Sequence, residues 1–87
     1  MINKAIEQAQ KVGIDRLGFQ QRVVDEKAEL DEKITKLAAF IETFSAPFSV
    51  FGALPEPERY RLYAQHRAMV AYSAILGERI AAFGGVR

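Results

Sequence analysis

The stretch FQQRVVDEKAELDEKITKLAAFIETF, residues 19–44, decides the fold class of this chain. From Leu30 onward its apolar residues recur in alternating steps of four and three, the heptad pattern of a helix with one packed seam. The seam is formed by Val23, Leu30, Leu37 and Phe44 at position d and by Gln20, Lys27, Ile34 and Ile41 at position a. Neither glycine nor proline interrupts the stretch, so we predict a long helix over residues 19–44.

The rest of the chain predicts a partner for this helix. Residues 45–56 contain Pro47, Gly52 and Pro55, which interrupt the periodicity and predict an apolar connection. A second helix is predicted over residues 57–83. Its seven-residue repeat is formed by Leu62, Met69, Leu76 and Phe83.

A short N-terminal helix is predicted over residues 3–12, with Gly13 and Gly18 bounding a kink before the long helix. The fold class is therefore all-α. We predict a single domain, residues 1–87, that forms an antiparallel two-helix hairpin with coiled-coil-like packing and a short N-terminal helix.

Apolar residues outside the two seams predict self-association, because a hairpin has only one shared face. These residues are Phe19, Val24, Ala38, Val70, Ala71 and Ile75. Chains of this size commonly add oligomerisation to a small core. We predict a homo-oligomer, a dimer or a tetramer, and the alternative is a monomeric three-helix bundle.

Composition excludes several classes of function. The chain has 87 residues, one histidine, no cysteine and a net charge of +1. The small net charge argues against nucleic acid as the main partner, and no apolar run is long enough to span a membrane. Without a catalytic motif or a set of metal ligands, we expect no enzyme, no cofactor and no metal site. The acidic residues Asp25, Glu29 and Glu32 are best interpreted as a solvated face.

The stretch ERYRLYAQHR, residues 58–67, holds the first candidate site. On a helix one stripe of its side chains is formed by Arg59, Tyr63, His66 and Arg67. An aromatic ring between guanidinium groups suits a nucleotide, because the ring stacks on a base and arginine binds phosphate oxygens in pairs. The alternative is the polar face of a helix, with Glu58 paired to Arg61.

Two stretches carry a resemblance to a known family, QQRVVDEKAELDEKITKLAAFI at residues 20–41 and QHRAMVAYSAILGERI at residues 65–80. The matching positions are Arg22, Val23, Glu26, Lys27, Glu29, Leu30, Glu32, Lys33, Ile34, Lys36, Leu37, Met69, Tyr72, Ile75, Leu76, Arg79 and Ile80. In these the chain resembles the small crAss-phage-related helical-hairpin proteins. The resemblance implies a phage or prophage origin and a helical hairpin, and it carries no catalytic residues.

The same resemblance brings a second stripe into view, formed by Arg22, Lys27, Tyr72 and Arg79. In an antiparallel hairpin these residues could meet and form a positively charged crevice for a small anionic ligand. Lys27 occupies an a position, so its alternative role is a register device paired across the seam. Lys27 and Arg79 could equally be bonded to Glu26, Glu29 or Glu78.

These observations predict a non-enzymatic phage accessory protein that acts by binding in the cytoplasm of an infected bacterium. By association with other small helical-hairpin phage proteins, the first expectation is a sponge for a cyclic-nucleotide-type immune signal. The alternative is an inhibitor of a host defence protein, such as a CRISPR system, that binds through Phe48 and Phe51 of the apolar connection. A second alternative is a structural phage coiled coil.

Overall fold

A computed structural model describes residues 2–85 of the chain, with side chains for residues 18–83. Three helices and one 3₁₀ turn follow one another: α1 at Ile2–Glu42, the turn at Thr43–Ser45, α2 at Val50–Ala53 and α3 at Glu56–Gly85. Residues 2–85 contain no strand. The predicted all-α class is thus confirmed, and the two long helices, α1 and α3, pack against each other.

Helix α1 corrects the prediction of a separate N-terminal helix. It runs without interruption from Ile2 to Glu42, 41 residues, so residues 3–12 belong to the long helix. Gly13 and Gly18 do not break it. A glycine inside a helix costs only about 1 kcal/mol relative to alanine, and no proline lies nearby to remove a backbone donor. At Gly18 an added Cβ would meet the Arg22 guanidinium at 3.5 Å, an ordinary contact with the end of a flexible side chain.

The connection between the long helices is a compact loop with its own hydrogen bonds. Helix α1 ends at Glu42, two residues before the predicted end. The Ser49 hydroxyl accepts a hydrogen bond from the Gly52 amide at 2.9 Å and caps α2. At Gly52 a Cβ would lie 2.9 Å from the carbonyl oxygen of Phe44, which leaves room for glycine alone. The Pro55 carbonyl then accepts from the Glu58 and Arg59 amides and begins α3.

Contacts across the hairpin confirm the antiparallel arrangement. Phe19 and Phe83 meet at the open end, with ring centroids 6.1 Å apart. Lys27 and Ser73 meet near the middle, where the ammonium donates to the hydroxyl at 2.9 Å. Toward the loop, Tyr63 of α3 lines a cavity together with Ala38 of α1. Residues later in α1 therefore contact residues earlier in α3, as in any antiparallel hairpin.

The fully packed core is small and divided between two places. Among residues 18–83 the buried hydrophobic side chains are Val23, Phe51 and Leu76. Lys27 contacts Ser73, so Val23 and Leu76, one turn farther toward the open end, lie at the same level of the hairpin. Phe51 lies at the loop end and is fully buried.

Phe51 corrects part of the alternative functional prediction, in which both loop phenylalanines contact a protein partner. Its ring packs edge-on against Phe40, Phe44 and Tyr63, at centroid distances of 5.3, 6.2 and 5.6 Å. A side chain with no exposed area is a core residue of its own chain. Phe48 is different, because it is fully exposed and has a positive φ of 61°.

Candidate functional site

A cavity of about 310 Å³ lies between the two long helices near the loop. We call it the loop-end cavity and define it by its lining residues: Ala38, Ile41 and Glu42 from α1, and Tyr63, His66 and Arg67 from α3. One side of it is open to solvent. Its lining combines apolar surface, an aromatic ring, a permanent cation and a carboxylate, the combination that binds small polar aromatic molecules.

Tyr63 is the anchored member of this lining. Its ring packs edge-on against the buried Phe51 at 5.6 Å and lies 6.2 Å from the ring of Tyr60. The loop core therefore holds the ring at the wall of the cavity. His66 and Arg67 follow at one turn along α3, so all three side chains lie on one side of that helix. An anchored ring loses little conformational entropy when a flat ligand stacks on it.

Three of the four residues predicted for the first stripe meet at this cavity, and Arg59 does not. The Arg59 guanidinium donates to the carbonyl oxygens of Leu54 and Gly52. It also lies over the Phe44 ring, 5.3 Å from its centroid. Arg59 thus ties the loop to the start of α3. The alternative pairing of Glu58 with Arg61 is also present, at 2.8 Å.

The sequence alone missed the half of the cavity that α1 contributes. Ala38, Ile41 and Glu42 carry no motif, and only Ile41 has a seam position. A usable signal was the hairpin register, because the last turns of α1 must lie beside the first turns of α3 after a short loop. That signal places the last turns of α1 beside the first turns of α3, but which residues meet depends on how the loop folds.

The second predicted stripe lies partly along the opposite edge of the hairpin. The Tyr72 hydroxyl donates to the Glu26 carboxylate across the two helices. This hydrogen bond raises the pKa of Tyr72, desolvation and the Glu26 charge raise it further, and the Arg79 charge lowers it. Arg79 lies over the Phe19 ring at 5.3 Å. Tyr72 and Arg79 are therefore close together, and both already have partners in the same chain.

The other two members of that stripe point elsewhere. Arg22 folds back along α1 toward Gly18. Lys27 crosses the seam, where its ammonium donates to Asp31 at 2.7 Å and to Ser73 at 2.9 Å. Ser73 in turn donates to the Asp31 carboxylate. The four side chains do not line one crevice, and Lys27 makes the cross-seam contacts of its alternative role, a register device.

Gly77 makes room for this polar cluster of Lys27, Asp31 and Ser73. A Cβ at Gly77 would lie 3.3 Å from the Cε of Lys27, so the lysine stem passes directly over this glycine. Ser73 is buried, and Lys27 is 29% exposed. Asp31 is 48% exposed, so the cluster is only partly buried, and removing one member costs stability mainly because the buried Ser73 hydroxyl loses a partner.

The pH dependence of stability tests this polar cluster. The hydrogen bond from Lys27 lowers the pKa of Asp31, a second one from Ser73 lowers it further, and partial desolvation opposes both. A lowered carboxyl pKa adds stability that is present above its unfolded value of about 3.9 and is lost as the pH falls through the folded value. We expect Asp31→Asn to lower the Tm at pH 7 and the difference from wild type to shrink below about pH 4.

Thermal melts monitored by circular dichroism from pH 7 to pH 2.5 measure this difference. Asp25→Asn is the matched control, because Asp25 is an exposed carboxylate of the same helix that accepts a hydrogen bond from Gln21. Because Asp25 lies outside the polar cluster, Asp25→Asn should change the Tm at pH 7 much less than Asp31→Asn does. A constant gap between Asp31→Asn and wild type down to pH 2.5 would contradict the linkage.

Two further properties of the described residues bear on function. No three His, Asp or Glu side chains within residues 18–83 come together as metal ligands. Over the helices of residues 2–85 there is no segment with the length and apolarity that a bilayer crossing demands.

Comparison with known proteins gives one result. The model of a protein family described as Sequestin matches residues 17–82, which is most of the chain. The match covers α1 from residue 17 onward, the loop, α3 as far as residue 82 and every residue that lines the loop-end cavity. It does not tie the chain to the crAss-phage-related proteins that the sequence resembles. No curated protein and no solved structure matches the chain.

Proposed function

We infer that this chain, which belongs to the Sequestin family, acts by binding and holding a ligand. The family name is consistent with sequestration and suggests a binding protein rather than an enzyme. Sequestration depends on affinity and on the number of protein copies, so it needs no general base, nucleophile or metal. We further propose that the protein is of phage origin and works in the cytoplasm of an infected bacterium.

We place an anionic nucleotide-type ligand, such as a cyclic-nucleotide immune signal, in the loop-end cavity. The observation that carries this proposal is the position of Tyr63 and Arg67 opposite the apolar wall of Ala38 and Ile41. A base would stack on the Tyr63 ring, and the Arg67 guanidinium would form paired hydrogen bonds with phosphate oxygens. The apolar wall would exclude water and strengthen both contacts.

The remaining lining residues and the size of the cavity limit what fits. His66 can donate or accept a hydrogen bond, and Glu42 accepts from an amine or a ribose hydroxyl. A volume of about 310 Å³ is at the small end of ligand pockets, which span about 300–1,000 Å³. The cavity of one chain therefore suits one nucleotide unit, and the remainder of a larger cyclic signal would extend through the open side.

The proposal predicts which substitutions weaken binding. We expect native mass spectrometry, with a pool of cyclic oligonucleotides and cyclic ADP-ribose variants, to show the protein bound to one member of the pool. The number of bound ligands per protein chain should be constant. Tyr63→Leu should weaken that binding about 10- to 100-fold, because stacking of one base contributes about 1–3 kcal/mol. Arg67→Gln should weaken it by a similar factor, because it loses a charge-assisted hydrogen bond. Titration calorimetry with the identified ligand measures both factors.

Three control variants accompany these two. Tyr63→Phe keeps the ring and should bind as wild type does. Arg61→Gln removes a cation that is paired with Glu58 outside the cavity. Tyr72→Leu removes the tyrosine of the opposite edge. A wild-type protein that binds nothing from the pool argues against a nucleotide ligand, and loss of binding in Tyr72→Leu alone would move the site to that edge.

One observation favours a second candidate function, the inhibition of a host defence protein. Phe48 is fully exposed at a positive φ, and Val50 beside it is 66% exposed. An aromatic side chain that a loop presents to solvent resembles the anchor residues of protein interfaces. Anti-defence activity that is lost in Phe48→Asp but retained in Tyr63→Leu would support this candidate over the nucleotide proposal.

A further inference from the structure

The loop-end cavity carries opposite charges on its two helical walls. Arg67 of α3 supplies a guanidinium group, and Glu42 of α1 supplies a carboxylate. Both side chains are exposed, and among residues 18–83 neither takes part in an ion pair. The two charges therefore line one cavity without neutralising each other, and both are available to a ligand.

The end of α1 adds to the negative charge of its wall. Glu42 is the last residue of this helix, and the last turn contains no basic side chain. The backbone carbonyl groups at a helix C-terminus together carry a partial negative charge, equivalent to roughly half an elementary charge. The α1 wall is thus negative and the α3 wall positive. With histidine counted as neutral, the formal side-chain charges of the lining sum to zero.

The cavity is small enough for one phosphate group to interact with both walls. A rounded space of about 310 Å³ is roughly 8 Å across, which does not exceed the Debye length of ~8 Å at physiological ionic strength. Salt therefore screens the charge of Glu42 only in part at a phosphate that is bound to Arg67. One negative charge on the ligand pairs with Arg67. A second one finds no further permanent cation among the lining residues and is repelled by Glu42.

We propose that Glu42 is a specificity-determining residue, which favours nucleotides whose phosphate is a diester and discriminates against those that end in a phosphate monoester. A diester carries one negative charge, as each phosphate of a nucleic acid does, whereas a monoester carries about −1.5 to −2 at pH 7. This inference rests on the proposed function, because it concerns the ligand of the same cavity.

Discrimination of this kind serves sequestration of a cyclic signal. Specificity is a difference between two affinities, and a repulsive group that acts mainly on the competitor increases that difference. In a cell the competitors are linear nucleotides with a terminal phosphate. Each phosphate of a cyclic signal is linked on two sides and carries a single charge. Its base or ribose can also donate a hydrogen bond to the Glu42 carboxylate, so the same group attracts one class of ligand and repels the other.

Two nucleotides that differ in this one respect test the proposal. Cyclic 3′,5′-AMP and 5′-AMP share their base and their ribose, and each is a single nucleotide unit, the size that the cavity suits. NMR titration of ¹⁵N-labelled protein measures both affinities, even where they are weak. We expect wild type to bind cyclic AMP more tightly than 5′-AMP.

The substitution Glu42→Gln should reduce this preference. It should bind 5′-AMP about three- to fivefold more tightly than wild type does, the effect of one like-charge contact removed at an exposed position. The affinity for cyclic AMP should change by no more than about twofold, because the loss of repulsion is offset by the loss of a charged hydrogen-bond acceptor. A gain of affinity cannot result from partial unfolding, which lowers the affinity for every ligand.

Two control variants accompany Glu42→Gln. Glu42→Asp keeps the charge and should keep the preference for cyclic AMP. Glu29→Gln removes an exposed carboxylate of the same helix, about 20 Å from Glu42, and so changes the net charge by the same amount. Because that distance exceeds the Debye length, Glu29→Gln should leave both affinities at their wild-type values.

Several results would overturn the role of Glu42. Equal gains for both nucleotides in Glu42→Gln would mean that Glu42 only competes with the ligand for Arg67. An unchanged affinity for 5′-AMP in Glu42→Gln, an equal gain in Glu29→Gln, or a preference of wild type for 5′-AMP would contradict local repulsion. Each of these results leaves the nucleotide proposal standing. If neither nucleotide binds to any variant, the cavity does not take a nucleotide unit, and both proposals fail together.

Discussion

Phe51→Ala is expected to lower the free energy of unfolding by about 3–5 kcal/mol. Phe51 has no exposed area, and its ring contacts the rings of Phe40, Phe44 and Tyr63. Alanine would leave a cavity among three aromatic side chains that α1, the loop and α3 hold in place. Small proteins are stable by about 5–15 kcal/mol in total, so this loss is a large share. Urea denaturation monitored by circular dichroism measures it.

The same substitution should also weaken ligand binding, because Phe51 holds the Tyr63 ring at the cavity wall. Phe48→Gly is the matched control from the same loop. Phe48 is fully exposed at a positive φ, where glycine fits without a steric cost, so this variant should be at least as stable as wild type. If Phe51→Ala unfolds at the same urea concentration as wild type, the loop core described here is wrong.

Leu76→Ala is expected to lower the free energy of unfolding by about 2–5 kcal/mol. Leu76 is fully buried and lies at the level of Val23, far from the loop. The variant therefore removes packing between α1 and α3 but leaves the aromatic cluster around Phe51 intact. Its urea midpoint should fall, and the ligand affinity of the fraction that remains folded should stay within about twofold of wild type.

Ile75→Ala is the control for this second substitution. Ile75 is an aliphatic residue next to Leu76 in sequence, but it is 53% exposed. Truncation of such a surface side chain is expected to change the free energy of unfolding by no more than about 0.5 kcal/mol. Measurements of all variants at one protein concentration keep any contribution from self-association constant. Equal losses in Leu76→Ala and Ile75→Ala would mean that α3 presents a different side to α1.

Helical class and hairpin topology could both be predicted from residues 19–44 and 57–83, because a seven-residue apolar repeat is compatible with little else. The same reasoning predicted a break near Gly13 and Gly18, where α1 in fact continues to Ile2. Glycine lowers helix propensity by a small amount, and its neighbours decide whether the helix ends. Local propensity therefore gave the two long helices, but it divided α1 in two and did not predict the short helix α2 in the connection.

The candidate site was only half predictable. Tyr63, His66 and Arg67 could be recognised together because their spacing places them on one side of a helix whatever the tertiary structure. Arg59 has the same spacing but bonds to loop carbonyl oxygens, and such a contact depends on how the connection folds. Likewise, nothing in its local sequence distinguishes the buried Phe51 from the exposed Phe48.

What the sequence by itself determined is the set of features with a local physical cause: the helices, their apolar seams and the side of α3 that carries the aromatic and cationic residues. Only the tertiary structure decided which residues of α1 meet that side, because the register depends on the length and conformation of the loop. It placed Glu42 and Ala38 beside Tyr63 and Arg67, and it joined Lys27 and Asp31 of α1 to Ser73 of α3. Contacts between residues far apart in sequence are set by packing and pairing across the hairpin, and local periodicity does not contain that information.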